Sequence, residues 1–256
     1  VQRRLRRTGL MRTDDGSDVF YSADQLAENF VRIALFDEYV ASGGRLRAEE
    51  RPSRLRRWGG PIRMNVAFGE LVGDDRRDED RRMVRDYAAR LSRLSGREII
   101  MTEEDSANFH VLFLYESERR ALGPRLPRLV PGIDATARRA ITDMPRNTFC
   151  LVFAFSRGGS WEYSDAVAVI RAEHPDLTRR SCVHEELAQG MGLANDSPLA
   201  RPSIFNDDEE FALLTGHDEK LVRMLHDPRL SPGMRADEVR PIARRIAAEL
   251  TGQAGS

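Results

Sequence analysis

One amphipathic stretch near residue 190 constrains the fold more than any other part of the chain. At about 100° of rotation per residue in a helix, Val183, Leu187 and Met191 cluster on one side. Glu185 and Gln189 fall together on the opposite side. The pattern predicts a helix that packs its apolar face on a core and turns its Glu-Gln face to a cleft or to solvent.

His184 lies at the border of the apolar side of this helix and is followed by Glu185. A His-Glu pair begins the zinc-protease motif, which needs a second ligand four residues after the histidine, because positions i and i+4 share one helix face. That position holds Ala188, which has no ligand atom. We therefore predict that His184 is a packed, hydrogen-bonded histidine and not a metal ligand.

A register that starts one residue later has the spacing of a metal site. Glu185, Gln189 and Asn195 stand at i, i+4 and i+10. Glu186 stands at i+1 and Gly192 at i+7. In this register the segment resembles the metzincin signature HExxHxxGxxH/D. The resemblance implies that Glu186 is the general base and that Gly192 lets the chain turn, while the other three side chains are metal ligands.

All three histidines of that signature are replaced here by side chains with oxygen ligands. Zinc sites that hydrolyse their substrates commonly contain two or three histidines and an open position for water. One carboxylate with two amides is poor for zinc and suits a harder cation such as calcium or manganese. The cofactor is thus left open between no metal and a divalent metal, and the ligand set disfavours zinc.

The residues after this helix extend the resemblance. Metzincin-like chains follow the third ligand with a turn, often containing a methionine beneath the metal, and then with a final helix. Residues 200–207 stand where that turn belongs, with Phe205 in place of the methionine. Apolar spacing predicts further helices near 213–225 and over 234–251.

The order of the elements predicts an α+β (mixed α/β) domain. Alternating or unbroken apolar runs indicate strands at 62–68, 99–101, 109–115, 149–155 and 163–170. The order resembles that of a zincin, with a mixed β-sheet followed by an active-site-type helix and C-terminal helices. The predicted divisions are a flexible N-terminal arm (1–20), a zincin-like domain (21–235), and a C-terminal helix and tail (236–256).

Two predictions concern residues 22–57. A capping box at Ser22 and Gln25 predicts a helix that runs to about Tyr39 and ends at residues 42–44. The arginine-rich segment 45–57 is interpreted as a linker with a solvated face. Its acidic residues and single neighbouring aromatic, Trp58, argue against a nucleic-acid surface.

A closer resemblance rests on residues 181–196 together with 201–207. These residues are similar to a proteobacterial family of secreted lipoproteins with no established activity, the domain of unknown function 2927. The likeness covers about residues 20–235. It implies export to the periplasm, attachment or proximity to a membrane through a lipid anchor on a segment before Val1, and a peptide or envelope protein as partner.

Composition limits the other options. Charged residues make up 32% of the chain, but the net charge is only −1, so no overall field favours nucleic acid or a membrane surface. No apolar run approaches the roughly 20 residues of a transmembrane helix. Cys150 and Cys182 are compatible with one disulfide or with two buried free thiols, and the sequence leaves both alternatives open.

Three functions remain as alternatives. The first is a degenerate peptidase scaffold that binds a partner, which the loss of all three histidines favours slightly. The second is an active metal-dependent hydrolase with Glu186 as general base. The third is metal-free hydrolysis by Glu185 and Glu186, which is the weakest because neighbouring helix residues point about 100° apart.

Overall fold

The computed structural model describes residues 2–42, 45–206 and 208–252, which form nine α-helices and eight β-strands. The helices are α1 (Gln2–Arg7), α2 (Ala23–Ala34), α3 (Asp74–Ser95), α4 (Glu116–Ala121), α5 (Leu126–Leu129), α6 (Ala135–Thr142), α7 (Asp176–Gln189), α8 (Gly216–Leu225) and α9 (Ala236–Thr251). The strands are β1 (Phe36–Ser42), β2 (Arg45–Pro52), β3 (Arg57–Trp58), β4 (Ile62–Phe68), β5 (Ile99–Met101), β6 (Phe109–Leu114), β7 (Cys150–Ser156) and β8 (Glu162–Arg171).

Six strands form one mixed sheet, and β1 and β2 form a separate antiparallel hairpin. The order in the sheet is β3-β8-β6-β4-β5, with every neighbouring pair parallel, and β7 pairs antiparallel with β8. The predicted α+β class is confirmed. The last strand, β8, leads through residues 172–175 directly into α7.

The sheet separates two hydrophobic cores. Side chains alternate along a strand, so β6 sends Phe109 and Val111 to the larger core and Leu112 to the smaller one. Val183 and Leu187 of α7 are completely buried in the larger core. The apolar face that the sequence predicts for this helix is therefore the face that packs on the sheet.

Two further contacts hold α7 in place. Cys182 in its middle forms a disulfide with Cys150, the first residue of β7. Arg179 forms an ion pair with Asp80 of α3, and both side chains are buried. The helix is thus attached to the sheet on one side and to α3 on another.

Both ends of the described chain contact the central part. Met11 is buried against Ala212 and Leu213, and Arg12 forms a parallel bridge with Phe211. Helix α9 packs along α2. The boundaries at residues 20 and 235 stay predictions.

The prediction for residues 22–57 is wrong in its second half. The capping box at Ser22 is present, but the helix it begins ends at Ala34, and Phe36 starts β1. The predicted linker contains β2 and the first residue of β3. β2 pairs with β1 across a hairpin, because charged side chains do not prevent backbone hydrogen bonding. Gly43 and Gly44 of the predicted helix end lie outside the described residues.

No helix within the described ranges is long and apolar enough to cross a bilayer.

Candidate functional site

The polar side of α7 brings two carboxyl groups together. One oxygen each from Glu185 and Glu186 and the Sγ of Cys150 all lie within 4.8 Å of one another. The 100° separation on the helix had argued against such an approach. The structure corrects that argument, because flexible glutamate side chains can bring their ends together even when their Cβ atoms point apart.

Glu186 is the more deeply placed of the two. Only 4% of its surface is exposed, and its Oε2 atom has no hydrogen-bond partner among the described residues. A buried oxygen without a donor carries a desolvation cost of about 1–3 kcal/mol, and more when it is charged. Among the described residues, none donates a hydrogen bond to this buried oxygen of Glu186.

Further acidic side chains surround the pair. Burial raises the pKa of Glu185 well above its usual value, and the neighbouring charges of Asp196, Glu186, Glu209 and Glu38 raise it further. The pKa of Glu186 is raised well above its usual value by burial, and further by Asp196 and Glu38. Neutral carboxyl groups are therefore favoured here when no cation is present.

The two predicted amide ligands make different hydrogen bonds. The Gln189 amide donates to Oδ1 of Asp196 at 3.2 Å, which places it beside the acidic group. The Asn195 amide instead donates to the carbonyl oxygen of Arg32 in α2 at 3.0 Å, and its backbone N–H donates to Ile33 at 3.0 Å. Asn195 is buried and thus ties the end of the motif to α2.

Gly192 allows a close approach of two backbone segments. Its φ of +130° lies outside the range that other residues readily adopt, and an added Cβ would lie 2.2 Å from the carbonyl oxygen of Arg56. Nearby, the Trp58 indole N–H donates to the carbonyl oxygen of Gly190 at 2.8 Å. The turn after α7 therefore depends on a residue without a side chain.

His184 faces away from the acidic group. Its Nδ1 accepts a hydrogen bond from the Leu214 N–H at 3.1 Å, and its ring stacks on Tyr87 with the centroids 4.0 Å apart. Burial lowers the pKa of His184 to about 3. A neutral, fully packed ring of this kind has a structural role.

Phe205 is completely buried in the larger core. Asp218 holds the turn before it, since its carboxylate accepts from the Ser203 hydroxyl at 2.5 Å and from the Ile204 N–H at 3.0 Å. Asp207, at the end of the predicted turn, lies outside the described residues.

The disulfide settles the state of the two cysteines. Cys150 and Cys182 are joined at 2.04 Å, so neither sulfur is a thiolate that could bind zinc. The site beside it contains oxygen ligands and no described imidazole.

Sequence reasoning missed Glu38 and gave Asp196 no definite role. Asp196 follows Asn195 directly, so its proximity to the motif was readable from the sequence. Glu38 lies on β1, in a segment predicted to be helical, and no local pattern connects it with a helix about 150 residues later.

One pH-dependent effect involves His226, a half-buried histidine directly after α8. Burial, with Arg57 and Arg97 nearby, lowers the pKa of His226 to about 3 from an ordinary value of 6.5. Because the pKa of His226 is lower in the folded than in the unfolded protein, protonation of the unfolded chain destabilises the fold at low pH. The contribution of His226 to folding stability is therefore complete above pH 6.5 and is lost as the pH falls toward 3. When the pH is lowered from about 7.5 to about 5, we expect the unfolding free energy of the wild type to fall by up to about 2 kcal/mol more than that of His226→Leu.

Urea denaturation at the two pH values measures this difference. The variant Glu79→Gln, on the exposed side of α3, should show the same pH dependence as the wild type. Parallel pH curves for the wild type and His226→Leu would contradict the assignment.

Comparison with known proteins identifies a family. The family described as "Protein of unknown function (DUF2927)" matches residues 23–245, and the chain belongs to it. The match includes the sheet, α7 and most of α9. No curated protein matches the chain.

Proposed function

We propose that the protein is a zincin-like scaffold of the bacterial envelope that binds a peptide or an envelope protein and has lost zinc-dependent hydrolysis. The observation that carries the proposal is the hydrogen bonding of Asn195. Its amide NH2 donates to the carbonyl oxygen of Arg32 in α2, and the Gln189 amide NH2 donates to Asp196, so both predicted amide ligands are held by internal hydrogen bonds of the fold.

The zincin-like part of the proposal is supported by the arrangement around α7. The last strand of a mixed sheet leads into this helix, and the helix ends in a glycine turn with φ of +130°. A buried turn at Phe205 and two further helices follow. These features agree with the order that the metzincin resemblance implies.

Location in the periplasm, with a lipid anchor, is also proposed from the family resemblance. The disulfide between Cys150 and Cys182 supports it, because disulfides persist in oxidising compartments and are rare in the cytosol. For the peptide partner, β7 offers a suitable surface. This strand starts beside the two glutamates, and among the described strands it pairs only with β8, so its other edge is unpaired. An extended peptide can add to such an edge.

A second candidate function is metal-dependent hydrolysis with Glu186 as general base. The unpartnered, buried Oε2 of Glu186 favours it, since a catalytic carboxylate needs an oxygen that is not already occupied. Its raised pKa would also suit proton uptake from water near neutral pH.

Elemental analysis and a general peptidase assay separate the two functions. For the scaffold we expect well under one zinc per chain, and the same background rate for wild type, Glu186→Gln and the surface control Glu79→Gln. Peptide cleavage by the wild type and by Glu79→Gln, with loss of cleavage in Glu186→Gln, would establish the hydrolase instead.

A further inference from the structure

We propose that Glu185 and Glu186 form a calcium site at the end of α7. This inference deepens the proposed function and rests on it, since the site is one that no longer has zinc chemistry. The bound ion would neutralise the acidic group beside β7, where the partner is proposed to dock.

The spacing of the carboxylate oxygens fits a shared ion. Calcium binds oxygen ligands at about 2.3–2.6 Å, so two oxygens on one ion are at most about 5 Å apart. One carboxylate oxygen of Glu185 and one of Glu186 lie within 4.8 Å of each other. This distance is within the limit for two oxygens on one calcium ion.

The buried oxygen of Glu186 is the second observation. The residue is 4% exposed, and its Oε2 has no hydrogen-bond partner among the described residues, although the Glu185 carboxyl group lies nearby. Buried carboxylates are ordinarily paired with donors or with metal ions. A cation at this position supplies the missing partner.

The neighbouring groups select the type of ion. The strongest neighbouring charges acting on Glu185 are carboxyl groups, among them Asp196 and Glu38. The Sγ of Cys150 beside the pair belongs to the disulfide, and His184 is bonded to Leu214. An all-oxygen set favours a hard cation over zinc. Calcium accepts irregular geometry, whereas magnesium demands a near-ideal octahedron, so two adjacent helix residues suit calcium better.

Titration of the metal-free full chain with CaCl2 by calorimetry tests the proposal. We expect one saturable site with a dissociation constant on the order of 10⁻⁴ M, as in extracellular calcium modules. Glu185→Gln and Glu186→Gln each remove one anionic ligand and should weaken binding about tenfold or more. Glu79→Gln should bind calcium like the wild type.

The two glutamine variants are nearly isosteric with glutamate, and circular dichroism with a melting curve confirms that each is folded. Calcium should raise the melting temperature of the wild type and of Glu79→Gln more than that of either site variant. The absence of saturable binding up to about 10 mM calcium, far above the expected constant, would overturn the site. Binding that both site variants retain unchanged would overturn it equally. Neither result contradicts the proposed function, which is tested separately by the zinc content and by the peptidase assay.

Discussion

Replacement of Arg179 by methionine is expected to lower the free energy of unfolding by about 3–5 kcal/mol. Arg179 lies in the first half of α7, forms an ion pair with Asp80 of α3, and donates to the Ala172 carbonyl oxygen at 3.2 Å. Burial lowers the pKa of Arg179 to about 10. Methionine fills much of the same space but leaves the Asp80 carboxylate buried with no opposite charge.

A double variant tests this explanation. Asp80→Leu combined with Arg179→Met removes both charges, and most of the lost stability should return, because buried ion pairs are often replaceable by apolar groups. Chemical denaturation of the wild type, Arg179→Met and the double variant measures the effect. A double variant as unstable as Arg179→Met would show that packing at Arg179 matters and that the charge on Asp80 does not.

Removal of the disulfide should have the second largest effect. Cys150 and Cys182 are separated by 32 residues. Closing a loop of that size lowers the entropy of the unfolded chain and so raises its free energy by about 3–4 kcal/mol at 25 °C. We expect the variant with alanine at both positions to lose about that amount of unfolding free energy. Urea denaturation without reductant measures the difference.

Reductant provides the control for this prediction. Dithiothreitol should reduce the stability of the wild type toward that of the double alanine variant and leave the variant itself unchanged. A difference below about 1 kcal/mol between the oxidised wild type and the variant would mean that the bridge does not stabilise the fold by loop closure.

The elements that the sequence predicts well have local signals. The strand at residues 62–68 agrees with β4, and the buried residues Val183 and Leu187 of α7 follow the helical spacing. Burial on one face imposes such periodicity on neighbouring residues, so a short window of sequence is enough to detect it. The polar face with Glu185 and Gln189 follows from the same periodicity.

The hairpin of β1 and β2 could not be predicted in this way. Its strands contain Asp37, Glu38 and several arginines, which are uncommon in strands, and β1 continues almost directly from α2. The two strands pair through backbone hydrogen bonds, and Arg56, which follows β2, forms an ion pair with Asp37 of β1. Backbone pairing of this kind leaves no hydrophobic periodicity that a short window of sequence could detect.

The sequence by itself determined the position of α7, its buried and polar faces, and the glycine at which the chain turns. Only the tertiary structure decided which polar groups meet at that end of the helix. It joins Asn195 to Arg32, 163 residues earlier, and brings the charge of Glu38 to the two glutamates. Periodicity records which face of an element is buried, but the partner of a side chain depends on how separate elements pack, and that information is not local.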